Sequence, residues 1–400
     1  MNITHAVVKV RHDRPTITSF AVFGLWSFFV YGFGAGLSLL RDDQGSAAWL
    51  EGLHGTSLAV GGVIGALVAP AISQRLGRGW TIRLGSLGAA AFIALFLLPG
   101  ASVWVTLTAI FIATFFGNLL VAGVNAFLSL HQGAASPAAY TENTGLAALM
   151  GLLAPLSVGL AAATVLGWRF GLLIGALLMV VFEVIRGRSL RAYGAPGDVV
   201  TKAQGGAIPT LTYWALFAGM FYIGAEFCIS FWGVNLLRER ADMSAAAAAA
   251  GLATITGGLF IGRLFGSQLT KRFSSEVLLR CSLVAGLVAF GIAWWGSSAT
   301  VMLPSLFLTG LCLSLSWPLN LDRMIRSAHG RSDTAAALAL AFTTAAIGLA
   351  PFALGGLAGV MDVHTAFLIV PVLIVLALIL TVIRPVPELN PALSPQDSQG

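Results

Sequence analysis

Apolar residues along this 400-residue chain gather in stretches of roughly 20, broken by glycine, proline and charge. The stretches cover residues 17–40, 49–72, 80–99, 103–130, 142–165, 168–186, 210–237, 245–270, 276–297, 299–321, 333–360 and 363–384. At 1.5 Å per residue, each is long enough as a helix to cross a hydrocarbon core of about 30 Å. The pattern therefore predicts an all-α integral membrane protein with twelve transmembrane helices. The first stretch does not read as a secretory signal. It is about 24 residues long, lacks a small-x-small cleavage site and leads straight into a second span, so it stays as a helix.

Composition agrees, with 57% apolar residues, 10% charged residues and 47 glycines, against about 25% charged residues in soluble domains. Charge adds orientation. Of the 22 Lys and Arg, four (Arg41, Arg169, Arg238 and Arg240) fall on one side. The other 18, Arg263 counted among them beside Lys271 and Arg272, fall on the side shared by the two termini. Cations near helix ends stay cytoplasmic. A multi-pass protein of the plasma (cytoplasmic) membrane, the inner membrane of the cell, with both termini in the cytoplasm is expected. The net charge of +6 is spread over loops without interleaved aromatics, so no nucleic acid partner is expected.

The longest polar stretch between spans, residues 187–209, is rich in glycine, proline and cations and reads as a cytoplasmic linker. It divides the chain into a six-helix half at 1–186 and a second at 210–400, the latter ending in a short cytoplasmic tail. An internal repeat supports the division. Leu-Ala-Pro-x-x-x-Gly occurs at Leu153–Gly159 and again, 196 positions on, at Leu349–Gly355, in the fifth helix of each half. A second pair, from Gly65 and Gly262, aligns Gln74-Arg75 with Lys271-Arg272 at an offset of 197. Parallel halves of this kind are one route to alternating access.

The loop Gln74–Trp80 resembles the Asp-Arg-x-Gly-Arg-Arg signature of the major facilitator superfamily, matched at Arg75, Gly77 and Arg78. It departs at Gln74, at Gly79, and at Pro70, where the signature has glycine; the charge relay that the family's Asp supports is in doubt in this half. The resemblance implies the major facilitator fold over essentially the whole chain. It makes Arg75, Gly77 and Arg78, with Lys271 and Arg272 in the second half, candidates for gating. Pro155 and Pro351 join them, because proline inside a helix frees a carbonyl and permits bending. In the family a Gly-Pro motif in helix 5 is associated with antiporters. Ala154-Pro155 with Gly159 is a degraded form of it; repeated in helix 11, it reads instead as a packing device.

An ionisable group deep in a span is a functional candidate, since burying Asp at a helix centre costs about 2.5–3.5 kcal/mol. Glu226 is the outstanding one. It lies 16 residues after Thr210, with Tyr222 four before and Ser230 four after on the same face. It is the candidate proton carrier, against a purely structural role. Tyr222–Glu226 is similar to helix 7 of the fucose permease-like branch, and Asn118 and Asn125 in helix 4 resemble that branch too. In the family helices 1, 4, 7 and 10 line the cavity. Ser27 and Tyr31 in helix 1, with Ser38 beyond them, and Thr309, Ser316, Trp317 and Asn320 in helix 10 complete the expected polar lining. The alternative for each is interhelical hydrogen bonding. Tyr31, Tyr222 and Trp317 offer rings for stacking.

Glu51 and His54 near the start of helix 2, Glu142, Glu183 and Asp322-Arg323 carry weaker claims. For His54, capping or interfacial solvation outweighs proton relay. Enzyme chemistry finds no support. The glycine run Gly32–Gly36 lacks the strand that a phosphate loop needs. Cys228, Cys281 and Cys312 lie in spans without CxxC spacing, so neither disulfide framework, metal site nor cofactor is implied. The expected function is secondary active transport, with proton-coupled uptake of a sugar-like or other small polar solute first and proton-driven efflux of drugs or amphipathic metabolites second. The second rests on 25 Phe and 10 Trp able to line a permissive pocket. A polytopic membrane enzyme is the rival class. The expected partners are a small-molecule substrate, protons and membrane lipid, with the chain acting as a monomer.

Overall fold

Inside a bilayer every backbone polar group must find its partner within the chain, so each apolar run closes into a helix. The computed structural model describes residues 10–188, 190–194, 208–269, 273–328 and 332–386. Twelve of its helices have the length and hydropathy to cross a membrane. The first bundle comprises α1 (Arg14–Gln44), α2 (Ala48–Leu76), α3 (Arg78–Phe96), α4 (Val103–Gln132), α5 (Ser136–Ala162) and α6 (Trp168–Arg186). In the second, α7 (Thr210–Ala241) is followed by α8 (Ala245–Gly251, continuing as Ala253–Leu269) and α9 (Ser275–Trp295). Then come α10 (Ala299–Leu313, continuing as Ser316–Ser327), α11 (Ser332–Ala358) and α12 (Val363–Ala366 with Ile369–Ile383). Several helices outrun their apolar stretches because caps extend them. Asp13 accepts the Thr16 N–H at 3.0 Å and Pro15 sets the first turn of α1.

The two bundles touch through α1 on α7, α2 on α11 and α5 on α8. These seams explain the repeat. A side chain on Gly159 would sit 2.5 Å from Ala250 of α8, and one on Gly355 would sit 2.8 Å from Trp232 of α7 and 3.2 Å from Gly52 of α2. Both motif glycines therefore let backbones meet across pseudo-equivalent seams. The prolines are buried beside them, and the Pro351 carbonyl accepts the Trp232 indole N–H at 3.1 Å.

All of these contacts lie toward the end of the bundle away from the termini. The helices record this in their burial. In α1 residues 32–40 are buried without a break, as are residues 222–237 in α7, so these stretches are covered on every side. Toward the other end an accessible stripe appears at helical spacing: Phe23, Ser27 and Tyr31 on α1, Phe217 and Met220–Phe221 on α7. The halves are closed against each other at one end and parted at the other.

At the parted end, ionic clusters bind each half together. In the first, the buried Glu183 carboxylate pairs with Arg186 at 2.6 Å and Arg83 at 3.1 Å and accepts the Ser86 hydroxyl at 2.7 Å. The second half repeats the device with Glu276 and Arg323 at 2.9 Å. Arg186 is fully buried, and removing its counter-charge costs about 3–5 kcal/mol. Glu183→Gln should therefore lower the melting temperature of the purified protein by several degrees, while Glu142→Gln, at the exposed His12 pair, should leave it nearly unchanged. Of the linker, Leu190 and Tyr193 pack on the first half, with the Tyr193 hydroxyl 2.9 Å from Thr18 and its ring 4.2 Å beneath Arg186.

Of the expected gating residues, Gly77 (φ 85°) forms the turn between α2 and α3, with Arg75 exposed before it and Arg78 buried after it. Lys271 and Arg272 lie outside the described residues.

Candidate functional site

Glu226 stands at the middle of α7, 16 residues into a helix of 32. It is buried, 3% exposed, with Tyr222 buried one turn before it and Ser230 one turn after it. The Tyr222 hydroxyl and the Ser230 hydroxyl find no hydrogen-bond partner among the described residues. Buried polar groups of this kind are rare without a reason.

The charge that answers Glu226 comes from α8. Arg263 interacts electrostatically with the Glu226 carboxylate, with Tyr222 and with the Tyr31 phenol of α1. The Tyr31 ring stacks on Phe227, with centroids 6.3 Å apart and planes 27° apart, and borders Gly151 of α5. Tyr31 and Arg263 both keep accessible surface while lying deep within the protein, so the cluster is not sealed off on every side. The site thus draws Tyr31 from one half and Glu226, Tyr222 and Arg263 from the other.

Arg263 corrects one expectation. The sequence reading counts its charge on the cytoplasmic side although residue 263 falls inside the expected span 245–270, and the side chain lies in the protein interior. The helix carries on past it through Leu264 and Phe265, both exposed on the apolar surface, to Leu269. Both lie within the expected eighth span, 245–270, so the span stands as read and only the side to which the Arg263 charge belongs changes.

The remaining expected lining residues have other neighbours. Ser27, half-exposed, donates to the Phe23 carbonyl at 3.1 Å. Asn118 borders Gly62 of α2 beside Thr344 of α11. Asn125 is half-buried, and its carbonyl accepts the Tyr140 hydroxyl at 2.7 Å. On α10, Thr309 donates to the Ser305 carbonyl at 2.8 Å within its own helix, and Asn320 donates to the Ala215 carbonyl of α7 at 3.0 Å. Trp317 packs with Ala215, Leu216 and Met324 in that same α7–α10 seam. The Ser316 hydroxyl, at the break in α10, is buried without a partner among the described residues.

Two further groups belong to the closed end. Glu51, fully buried, pairs with Arg41 at 2.9 Å and accepts the Asn235 amide of the other half at 2.8 Å. Arg238 reaches across the same seam to Asp42 at 2.6 Å and Ser38 at 3.2 Å. His54 is held at both nitrogens, by the Leu50 carbonyl at 2.7 Å and the Thr106 hydroxyl at 2.9 Å, and ties α2 to α4.

No protein-family model and no curated protein matches the sequence. Solved structures do match the backbone. A nucleoside transporter, NupG, is 15% identical over 92% of this chain and 98% of its own, with a TM-score of 0.72. The major facilitator superfamily transporter FucP, in the outward conformation, is 18% identical over 92% and 98%, with a TM-score of 0.64; a variant of the same protein is described as the E. coli fucose:proton symporter. A variant of a peptide transporter, POT, in complex with alafosfalin is 16% identical over 94% and 95%, with a TM-score of 0.74. The fold is that of the major facilitator superfamily, twelve helices in two six-helix halves.

Proposed function

We propose that this chain is a secondary transporter that carries a small polar solute into the cell together with a proton, by rocking its two halves, residues 1–186 and 210–400, about a site at mid-depth. The observation that carries the reading is the cluster itself. A carboxylate, a guanidinium and two phenols meet where the halves meet, and a membrane-buried carboxylate that changes its charge changes what the halves can hold between them. Glu226 takes the proton. Arg263 and Tyr31 report its charge to the other half, because Arg263 of one half interacts with Tyr31 of the other. The proline-bearing helices α5 and α11 and the Arg75–Arg78 turn serve the movement. The solved structures of like fold include carriers of nucleosides and peptides and a fucose:proton symporter, all of which move small polar solutes.

With the termini in the cytoplasm, as the Lys and Arg distribution favours, the state described here is closed outward and open inward. The test is proton flux. Protein reconstituted in vesicles loaded with a pH-sensitive dye should acidify the lumen when a transported solute is added outside, beyond what protein-free vesicles show. Efflux by proton exchange gives the opposite sign. A solute that the protein carries in counterflow but whose net uptake moves no proton sinks the proposal.

A further inference from the structure

The site's charges can be counted. Among the described residues, those that interact with Glu226 are Arg263 of α8, Tyr222 of α7 and Tyr31 of α1. With Glu226 ionised the cluster is neutral: one guanidinium, one carboxylate, two neutral phenols. With Glu226 protonated it holds one uncompensated cation in a poorly solvated place, which is costly. A sugar or nucleoside brings no charge to relieve that cost. A single carboxylate does.

We propose that the solute is a small organic monocarboxylate, whose charged end pairs with Arg263 when Glu226 carries the proton. The proposal rests on the transport reading above and narrows its solute class. Geometry supports it in three ways. The planar fork of arginine suits a carboxylate in a two-pronged hydrogen bond. The Tyr222 and Ser230 hydroxyls, buried and unpartnered among the described residues, are spare donors on the Glu226 face. The stacked Tyr31–Phe227 pair offers an aromatic wall for an apolar or ring-bearing remainder. One cation favours a monoanion over a dianion such as phosphate, which would leave a negative charge unanswered. Proton and carboxylate then enter together, one for one, and the translocated complex is electrically neutral. A neutral solute taken up with a proton carries net positive charge instead.

That difference gives the test. Purified protein is screened by thermal shift at pH 6 and pH 7.5 against lactate, pyruvate, benzoate and phenylacetate, each beside its neutral amide. At least one acid should stabilise the protein, more strongly at pH 6, and its amide should not. In vesicles its accumulation should follow a pH gradient and ignore a potassium–valinomycin voltage. Arg263→Gln should weaken binding of the acid by roughly 100-fold, the loss expected for one partner of a buried charge pair. Arg263→Lys, which keeps the charge but not the fork, should fall between, and serves if the glutamine variant does not fold. Glu226→Gln should bind the acid with no pH dependence. Amides binding as well as acids, no acid binding better than its amide, or full binding to Arg263→Gln overturns the proposal; proton flux intact beside any of these leaves symport standing. A carboxylate bound at Arg263 with no pH dependence in the unmodified protein overturns the coupling to Glu226, and with it the transport reading.

Discussion

Glu226→Gln is expected to lose pH-driven accumulation completely while keeping solute exchange. Glutamine reproduces the shape and the neutral charge of the protonated acid, so the cavity should still form and still bind. It cannot release a proton, so the return of the empty carrier, which needs the site to be neutral, fails. Exchange of solute for solute skips that step. A structural role for Glu226 predicts a different pattern, in which loss of the Arg263 partner lowers expression and melting temperature together with all transport. The two are separated by measuring counterflow, pH-driven uptake and thermal stability on the same preparation. A variant that still accumulates solute with the pH dependence of the unmodified protein removes Glu226 from the mechanism.

Breaking the closed end should move the conformational equilibrium nearly as far. Among the described residues, Asn235 to Glu51 and Arg238 to Asp42 and Ser38 are polar contacts that cross between the halves there. The first is buried and charge-assisted, a bond of about 1.5–3 kcal/mol; the second is partly exposed and contributes up to about 1 kcal/mol. Replacing both Asn235 and Arg238 by alanine removes roughly 2–4 kcal/mol from the closed arrangement, which shifts the balance by about 30- to 800-fold. A cysteine at Ser38, buried in the seam, reads the change once Cys228, Cys281 and Cys312 have been replaced. An impermeant thiol reagent added outside intact cells should label Ser38→Cys slowly in the parent and fast in the double-alanine background. Unchanged labelling would mean that the glycine seams hold the end shut without these bonds. Labelling only from the cytoplasmic side would reverse the orientation.

The helices were legible because the bilayer makes their signal strong: twenty apolar residues have few other uses. The duplication was legible as well, since Leu-Ala-Pro-x-x-x-Gly recurs at one register in both halves. Why the motif holds its glycine was not, because Ala250 and Trp232, the groups that crowd Gly159 and Gly355, come from distant parts of the chain. Glu226 stands out from sequence by its cost in a membrane. Its partner Arg263 does not, since an arginine near the end of an apolar run has the same appearance whether it snorkels to the surface or turns inward. The polar residues of α10 show the same limit. Thr309 and Asn320 recur at helical spacing, but a periodicity cannot distinguish a side chain that awaits a ligand from one that donates to the nearest carbonyl.

Tyr193 has a mechanical consequence. Because its hydroxyl meets Thr18 and its ring lies under Arg186, the connection between the halves is anchored to the first half as far as residue 193. Fifteen residues, 195 to 209, complete the connection to α7. Fifteen residues reach up to about 50 Å when extended, more than a rocking motion asks of them. Chain length therefore does not limit how far one half can tilt against the other. In the proposed rocking cycle, what the covalent chain supplies is proximity: two partners held at high effective concentration, so that seams built from glycine contacts and a few polar bonds can open and re-form without the halves ever parting company.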